Sequence, residues 1–351
     1  MNDSLIIKKG IELELEITSL AYGGMGLAKL DNFVIFVKNA IPGQHVKAFI
    51  YKKKKGYAEG RVISIIKESP NAVDVKCSHY WICSKLQSLL YEEQLKEKEK
   101  QVEEAFQRLG GFTDFKLNEI KGADRIYNYR NKMEFTFSPN RWVLESEPEG
   151  VDSSFALGLH IPRRFDKILN IDQCHIQPEI GNKILSLAQE VCLKNPELKP
   201  YDPRTNVGFL RHLMLRFGVH TNQLMVNIVT GYDDINKLSP LIDTLLKEIP
   251  DITSMVNNVN TRKADVAYGE FENLIFGNPY IEEKIGDLKF EISANSFFQT
   301  NTFQGEVLYE EVLRLANLKG DEIVYDLYCG PGSIAIYIAK NVKKVYGFEV
   351  I

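Results

Sequence analysis

The sequence predicts an α/β protein of several domains that begins with a small β-barrel, and three observations lead to this prediction. Residues 5–68 contain several short segments of strand character separated by glycine turns, which is typical of a small closed barrel. Residues 322–349 read as strand, glycine turn, helix and strand, the repeating unit of an open α/β sheet. A chain of 351 residues with 44% hydrophobic composition is long enough for two or three domains.

The N-terminal strands are predicted from alternation and from the turns between them. Residues 12–17 alternate between acidic and apolar side chains, as expected of a half-buried strand, and further strands are predicted over 33–37, 46–51 and 60–66. Residues 1–68 contain eleven Lys or Arg and seven Asp or Glu, whereas the whole chain has a formal net charge of −4. Because the basic charge is concentrated in one segment, that segment is the candidate nucleic-acid contact.

One predicted hairpin of this barrel carries a run of four lysines, namely Lys52, Lys53, Lys54 and Lys55. Tyr51 and Tyr57 flank the run. Lysines neutralise phosphates and tyrosines stack on bases, so this hairpin is a candidate RNA-binding element. The alternative is a charged hairpin that only faces solvent.

The middle of the chain is predicted to be a mixed α/β region. A charged helix is predicted over residues 87–110, where it ends at a glycine pair. Strands are predicted over 127–137 and 157–160, and a hairpin is predicted from 211–216 and 223–230.

The glycine turn of the C-terminal unit indicates a nucleoside ligand. Ligands of open α/β sheets lie at the carboxyl ends of the strands, and Glu349, at the tip of the second strand, can accept hydrogen bonds from both ribose hydroxyls. The turn lacks the third glycine of the dinucleotide pattern, and Asp326 just before it would repel a pyrophosphate. S-adenosylmethionine, which has an amino group and a ribose but no phosphate, therefore fits better than NAD. A ligandless structural unit and an NAD enzyme stay as alternatives.

Two motifs resemble those of the RNA uracil-C5 methyltransferase family. They are Asp-Leu-Tyr-Cys-Gly-Pro-Gly-Ser at residues 326–333 and Ala-Asn-Ser-Phe-Phe-Gln-Thr-Asn at residues 294–301. The glycine motifs near the N-terminus are similar to those of the TRAM domain, an OB-like RNA-binding module. The resemblance implies three domains: a TRAM barrel over 1–68, a central α/β domain over 69–290, and the start of a Rossmann-like class I methyltransferase domain over 291–351.

The same resemblance implies which residues bind S-adenosylmethionine. Gln299 would contact the methionine end of the cofactor, and Tyr328 would pack beside it. Gly330 and Gly332 would give the cofactor access to the backbone, and Glu349 would accept the ribose hydroxyls. All five residues lie within the two quoted motifs or at the tip of the second strand.

The resemblance also implies a [4Fe–4S] cluster on four cysteines, but this sequence departs from the pattern. Cys77, Cys83 and Cys174 match three of the ligands, whereas Leu86 stands where the fourth cysteine falls. A cube of this kind normally takes four thiolates, and leucine cannot ligate iron. Either the cluster is lost, or a three-ligand site persists with an open iron.

In this family a cysteine thiolate adds to carbon 6 of uracil, and a base later removes the proton from carbon 5. The family places both groups in a later part of the methyltransferase sheet, so we expect this chain to be truncated and inactive by itself. Cys329 in the turn and Cys192 on an apolar helix face are interpreted as structural thiols. Asp202-Pro203-Arg204 resembles the family's catalytic motif only superficially. No catalytic residue is predicted.

The resemblance implies methylation of carbon 5 of uracil in RNA. The barrel favours 23S ribosomal RNA as the substrate, because the transfer-RNA branch typically lacks this domain. The alternatives are a transfer-RNA m5U methyltransferase and a non-catalytic RNA-binding remnant.

Composition sets the expected compartment. No apolar run approaches the ~20 residues needed to span a bilayer, and the N-terminus lacks the features of a signal peptide. Five scattered cysteines argue against a disulfide scaffold. We therefore expect a cytoplasmic monomer that binds RNA and has no membrane partner.

Overall fold

A computed structural model describes residues 7–264 and 266–350. The chain divides into two compact units, Met1–Asp124 and Arg125–Ile351. Residues 5 and 6 of the predicted barrel segment and the C-terminal Ile351 lie outside the described residues. The three-domain division at residues 68 and 290 stays a prediction.

The first unit contains one six-stranded sheet and two helices. Its elements are β1 Glu12–Glu16, β2 Ser19–Ala21, β3 Met25–Leu30, β4 Phe33–Lys38, β5 His45–Lys53, β6 Tyr57–Lys67, α1 Tyr80–Cys83 and α2 Tyr91–Arg108. The strand order is β1-β5-β6-β4-β3-β2, in which only the β4–β6 pair is parallel. The strands predicted over 12–17, 33–37, 46–51 and 60–66 are observed as β1, β4, β5 and β6.

This sheet curls around an apolar core. Leu13 and Leu15 of β1 and Ala28 of β3 belong to the same buried cluster, although these strands are far apart in the sheet order. Just after β1, the N–H of Thr18 donates to the carbonyl of Leu27 in β3 at 2.9 Å, which brings the two sides of the sheet together. The burial of alternate residues in β1 follows its acidic–apolar alternation, because successive side chains of a strand point to opposite faces.

The predicted helix over residues 87–110 is observed as α2. Glu97 of this helix accepts a hydrogen bond from the N–H of Leu20 at 3.1 Å, which fastens the helix to β2. Near its N-terminus, a small apolar cluster contains Leu20, Ile41 and Leu89, with Leu86 packed against it. Leu86 therefore has a packing role in the first unit.

The second unit contains a large mixed sheet, a hairpin and a short parallel pair. Its strands are β7 Lys132–Ser138, β8 Ala156–His160, β9 Ile168–Asn170, β10 Leu210–Gly218, β11 Gln223–Thr230, β12 Ser254–Val259, β13 Phe271–Gly277, β14 Tyr280–Ile285, β15 Leu288–Ser293, β16 Ile323–Leu327 and β17 Lys344–Phe348. Its helices are α3 Glu179–Lys194, α4 Ile235–Glu248, α5 Thr302–Ala316 and α6 Ser333–Ile338, followed by the 3₁₀ turn Ala339–Asn341.

The large sheet has the order β13-β12-β11-β10-β7-β8-β9, and only β11 and β12 pair in parallel. The predicted hairpin is observed as β10 and β11, and every residue of β10 is buried. Helices α3 and α4 contact each other, and both bury their apolar positions. Cys192 lies on the buried face of α3, which confirms its interpretation as a core residue.

The C-terminal part has the predicted order of strand, turn, helix and strand. β16 and β17 pair in parallel, with Ile323 opposite Lys344 and Leu327 opposite Phe348. The hairpin β14–β15 pairs antiparallel, and its buried Ile281 and Ile292 share an apolar cluster with Tyr309 of α5.

Candidate cofactor site and RNA interface

The turn between β16 and α6 is built from left-handed backbone. Tyr328, Gly330 and Gly332 have φ values of 62°, 55° and 79°. Glycine adopts this region without the Cβ clash that makes it costly for other residues, which explains the two glycines. The turn is closed by the N–H of Gly332, which donates to the carbonyl of Cys329 at 2.9 Å. Tyr328 is 82% exposed, so its side chain is accessible from solvent.

The tip acid of β17 lies against this turn. Oε2 of Glu349 accepts a hydrogen bond from the N–H of Gly330 at 2.7 Å, and Oε1 accepts from the N–H of Val350 at 2.8 Å. Two of the residues predicted to bind the cofactor are therefore joined directly. The carboxylate is exposed at the carboxyl end of a parallel strand, where α/β sheets bind their ligands.

Cys329 fastens the turn to β17. Its N–H donates to the carbonyl of Phe348 at 3.0 Å. A Cβ placed on Gly347 would lie 2.9 Å from Sγ of Cys329, closer than side chains tolerate. Glycine at position 347 therefore lets the turn lie close to the strand, and the thiol packs in agreement with its structural interpretation.

Gln299 lies in the segment between β15 and α5, and the large sheet holds this segment. Nδ2 of Asn131 donates to the carbonyl of Gln299 at 2.8 Å and to Oγ1 of Thr302 at 2.8 Å. The N–H of Asn131 donates to the carbonyl of Thr300 at 2.9 Å. Asn131, itself only 6% exposed, therefore holds two residues of the motif and the first residue of α5.

Arg216 of β10 holds the start of the same motif. Its Nε and one terminal nitrogen donate to the carbonyl of Ala294 at 3.2 and 3.1 Å, and it also donates to the carbonyl of Ser296. The side chain is buried, and this burial lowers the pKa of the guanidinium to about 10. A buried cation satisfied by main-chain oxygens restricts the path of the segment.

A buried carboxylate anchors the start of α5. Glu283 of β14 is fully buried and accepts from the N–H groups of Val219 at 2.7 Å and His220 at 3.0 Å. It also accepts from the hydroxyl of Thr302 at 2.9 Å. Oδ1 of Asn301 caps the helix by accepting from the N–H of Gln304 at 3.1 Å. These bonds fix the end of the motif next to Gln299.

Helix α5 connects the Gln299 segment to the glycine turn. Gly305 lies under Gln299, since a Cβ at this position would be 3.2 Å from Cβ of Gln299. One turn further, the hydroxyl of Tyr309 bonds to Oγ of Ser333 at 2.7 Å, at the start of α6. Both parts of the predicted cofactor site are thus attached to one helix.

The supporting residues Asn131, Arg216 and Glu283 were missed at the level of sequence. Asn131 lies in Tyr-Arg-Asn-Lys, which resembles a family signature, but nothing in the sequence shows what its side chain contacts. Arg216 is a charged residue inside a largely apolar strand, and this pattern could have indicated a buried cation with structural partners.

The four lysines of the N-terminal unit do not share one environment. Lys52 forms an ion pair with Glu59 of β6, and the hydrogen bond to this carboxylate raises the pKa of Lys52. Lys53, Lys54 and Lys55 are exposed around the tip of the β5–β6 hairpin. The exposed lysines, rather than Lys52, are available to phosphates.

Aromatic rings lie beside these lysines. The Lys52 ammonium is 5.6 Å from the centroid of Tyr57, and the ammonium of Lys38 is 4.9 Å from that of Tyr51. Tyr57 also contacts Phe36 edge to face, with centroids 5.7 Å apart. Cations interleaved with rings are the pattern expected of a surface that binds single-stranded nucleic acid.

Comparison with known proteins finds a domain model that matches the N-terminal segment and relatives that match nearly the whole chain. Residues 8–63 match the TRAM domain model. A protein named as an uncharacterized RNA methyltransferase from Porphyromonas gingivalis is 40% identical over 347 residues, covering 96% of this chain and 74% of the relative. One from Chlorobaculum tepidum is 38% identical over 356 residues, with 98% and 73% covered. The crystal structure of the Pyrococcus abyssi tRNA (uracil-54, C5)-methyltransferase in complex with S-adenosyl-L-homocysteine has a TM-score of 0.71 at 26% identity, covering 96% of this chain and 72% of that one.

The chain belongs to the RNA uracil-C5 methyltransferase family. This confirms the resemblance found in the two C-terminal motifs and in the TRAM-like segment. It also removes the NAD enzyme as an alternative. No helix of the methyltransferase within residues 7–264 and 266–350 is long and apolar enough to cross a bilayer.

The structure shows the local surroundings of the cysteines that the resemblance assigns to a cluster. Cys77 is buried with its N–H donating to Oε1 of Gln87 at 2.9 Å, and Cys83 is exposed with Sγ 3.6 Å from Oγ of Ser84. Cys174 is buried in the second unit. In the part of the chain that the structure describes, no group of three or more His, Cys, Asp or Glu is placed to hold a metal ion. Because Leu86 packs in an apolar cluster where a fourth ligand would be needed, the residues present do not fit a complete [4Fe–4S] cube.

The Asp202-Pro203-Arg204 segment of the methyltransferase is a structural loop. Oδ1 of Asp202 accepts the N–H of Arg204 at 2.9 Å, and the Arg204 guanidinium pairs with Asp166. Asp202 therefore stabilises the turn, and Arg204 ties it to Asp166.

Proposed function

We propose that the chain binds S-adenosylmethionine at Gln299, Tyr328, Gly330, Gly332 and Glu349. The observation that carries this proposal is the bond between Glu349 and the N–H of Gly330, since it places a carboxylate beside a left-handed glycine turn. A carboxylate in this position accepts both hydroxyls of a ribose. When bound, the cofactor supplies an electrophilic methyl group. The residues of this chain orient the cofactor, and the glycine turn places main-chain atoms beside its nucleoside end.

We further propose that the substrate is a uridine of 23S ribosomal RNA, methylated at carbon 5. The TRAM domain, with three exposed lysines and adjacent rings, supports an RNA partner. The solved relative from Pyrococcus abyssi acts on tRNA, and it makes transfer RNA the second candidate. A cytoplasmic monomer is the state that we propose for this RNA-binding protein.

No cysteine of this chain is assigned a catalytic role in this proposal, and the surroundings of four of the five argue against attack on uracil. Burial raises the pKa of the Cys192 thiol to about 12, so this thiol stays protonated near neutral pH. Cys77 and Cys174 are also buried, and Cys329 packs against β17. We therefore expect these 351 residues to bind cofactor and RNA without transferring the methyl group. Isotopic label at uracil carbon 5, after incubation with labelled S-adenosylmethionine and unmethylated 23S RNA, would contradict this expectation.

Calorimetric titration with S-adenosylhomocysteine tests the cofactor site. Replacing Glu349 by Gln removes the charge that strengthens hydrogen bonds to the ribose, and we expect affinity to fall about tenfold. Glu310→Gln is the matched control, because Glu310 is an exposed carboxylate of α5. Equal affinity of both variants for S-adenosylhomocysteine would show that Glu349 does not bind the cofactor.

Competition binding tests the class of RNA. Unmodified transcripts containing 23S uridine loops and unmodified tRNA transcripts are titrated against one labelled RNA at a fixed salt concentration. The proposal expects the 23S transcripts to compete more strongly. Stronger competition by tRNA would favour the second candidate.

A further inference from the structure

Two loops of the second unit lie together beside the large sheet. The first, residues 161–167, connects β8 to β9, and the second, residues 199–207, leads into β10. Phe165 in the first loop is 69% exposed. Both loops contain arginines, and Phe165 has no role in the cofactor site described above.

Asp166 joins the two loops. Its buried carboxylate accepts from Nε of Arg164 at 3.0 Å and from a terminal nitrogen at 3.1 Å, and it also pairs with Arg204 of the second loop. The bonds from Arg164 hold the pKa of Asp166 well below its usual range. One carboxylate therefore holds two guanidinium groups beside Phe165. Half of each arginine side chain stays exposed, at 46% for Arg164 and 51% for Arg204.

The charge of these loops is positive although that of the chain is negative. Residues 161–167 and 199–207 contain five Lys or Arg and two Asp or Glu, against a formal net charge of −4 for the whole chain. Arg163 is exposed at the tip of the first loop with φ of 68°, a conformation that costs energy for a residue with a Cβ. The local charge therefore suits a polyanion.

Both loops border one small pocket. Its lining includes Thr136, His160, Phe165, Tyr201, Pro203 and Arg211. The guanidinium of Arg211 lies 4.2 Å from the ring centroid of Tyr201 and donates to the carbonyls of Asn260 and Ala264 at 2.8 and 2.7 Å. The buried guanidinium of Arg211 thus lies beneath Tyr201 in the lining of this pocket. Thr136 and His160 add polar groups to the same lining.

We propose that these two loops form a second RNA contact, separate from the TRAM domain. One unpaired base stacks on Phe165, and Arg163 and Arg204 bind the phosphates on either side. The proposal rests on the proposed function, since it takes RNA as the polyanion. An aromatic ring for the base and flanking cations for the backbone are the two requirements of single-strand binding.

Phe165 is tested by fluorescence anisotropy with a labelled single-stranded RNA that contains several unpaired uridines. Phe165→Ala should weaken binding roughly tenfold, the effect of losing one base–aromatic stack, and Phe165→Trp should restore it. Phe271→Ala is the matched control, because Phe271 is 64% exposed on β13 of the same sheet. Thermal denaturation of each variant separates lost contacts from lost folding.

Arg163 is tested by the salt dependence of the same binding. Arg163→Gln should reduce the slope of log affinity against log salt by about one, the amount for one phosphate contact. Arg314→Gln, on the exposed face of α5, should leave the slope unchanged. Photo-crosslinking with 4-thiouridine RNA should place adducts on residues 161–166.

The outcomes separate this inference from the proposed function. If the wild-type chain binds RNA, an unchanged affinity in Phe165→Ala together with an unchanged salt slope in Arg163→Gln overturns the inference. Absence of RNA binding in the wild-type chain contradicts both the proposed function and the inference. Weaker RNA binding by Phe165→Ala, with affinity restored in Phe165→Trp, supports the inference.

Discussion

Nδ2 of Asn131 donates to the main-chain carbonyl of Gln299 at 2.8 Å, although the two residues are 168 positions apart in the chain. The same amide group also donates to the hydroxyl of Thr302. A predicted cofactor residue is therefore positioned by a side chain that precedes the first strand of the large sheet.

Asn131→Asp replaces the donating amide by a carboxylate that would face the Gln299 carbonyl. We expect this change to reduce the free energy of unfolding by about 1–3 kcal/mol, the usual cost of an unsatisfied buried polar group. The affinity for S-adenosylhomocysteine should fall as well, because the Gln299 segment loses its support. Chemical denaturation and calorimetric titration measure the two effects.

Asn118→Asp serves as the control, since Asn118 is exposed in a connecting segment of the first unit. Equal stability of both variants would show that the bond between Asn131 and Gln299 does not hold the segment.

The close approach of Cys329 to Gly347 gives a second prediction. Gly347→Ala places a Cβ 2.9 Å from the sulfur and should move the glycine turn, at a cost of about 1–3 kcal/mol. Cofactor affinity should fall with it. Cys329→Ala in the same chain removes the sulfur and should recover most of the loss, as a double-mutant cycle would show. Gly56→Ala is the control, because a Cβ there meets no atom within 4 Å.

The exposed tip of the lysine hairpin gives a third prediction. Lys54→Gln combined with Lys55→Gln should reduce the salt slope of RNA binding by up to about two, one for each phosphate contact. Lys52→Gln should instead lower thermal stability, because it removes the partner of the largely buried Glu59. An unchanged slope in the double variant would show that the hairpin faces only solvent.

Asp166 gives a prediction about pH. Its pKa is lowered in the folded state, so its contribution to stability is present above the usual aspartate pKa of about 4 and is lost as pH falls through the lowered value. Asp166→Asn should be less stable than the wild-type chain near pH 6, and the difference should shrink below about pH 4. Urea denaturation across this range measures it. A constant difference at all pH values would mean that the carboxylate's charge is not involved.

Iron content gives the fifth prediction. Because Leu86 packs in an apolar cluster, anaerobically purified protein should hold clearly less than the four iron and four sulfide atoms of a full cube. Leu86→Cys should raise the iron content if the other three thiolates can still converge on it. Iron and sulfide near about four each in the wild-type chain would require an outside ligand and would contradict the prediction.

Local patterns predicted much of this fold because their physical basis is local. Alternation in residues 12–17 and the glycines at 330 and 332 each determine a strand or a turn within a few positions. The strand–turn–helix–strand order also predicted that Glu349 and the glycine turn lie at the same edge, because parallel strands end there, but it did not predict the bond between Glu349 and Gly330.

The support of the site could not be predicted, because it depends on long-range contacts. Arg216 and Glu283 lie 78 and 19 positions from Ala294 and Thr302, which they hold. The pairing of Lys52 with Glu59 was also missed, although the hairpin was predicted, because the run of four lysines looked uniform in sequence. Register within the hairpin decides which lysine faces a carboxylate.

The contacts of the 294–302 segment also determine when it can form during synthesis. Asn131, Arg216 and Glu283 all precede this segment in the chain, and the last strand of the large sheet ends at Gly277. Because a nascent chain emerges from its N-terminus, the sheet can be complete before Gln299 leaves the ribosome. The segment that contains the proposed cofactor residue Gln299 can then dock onto a finished sheet.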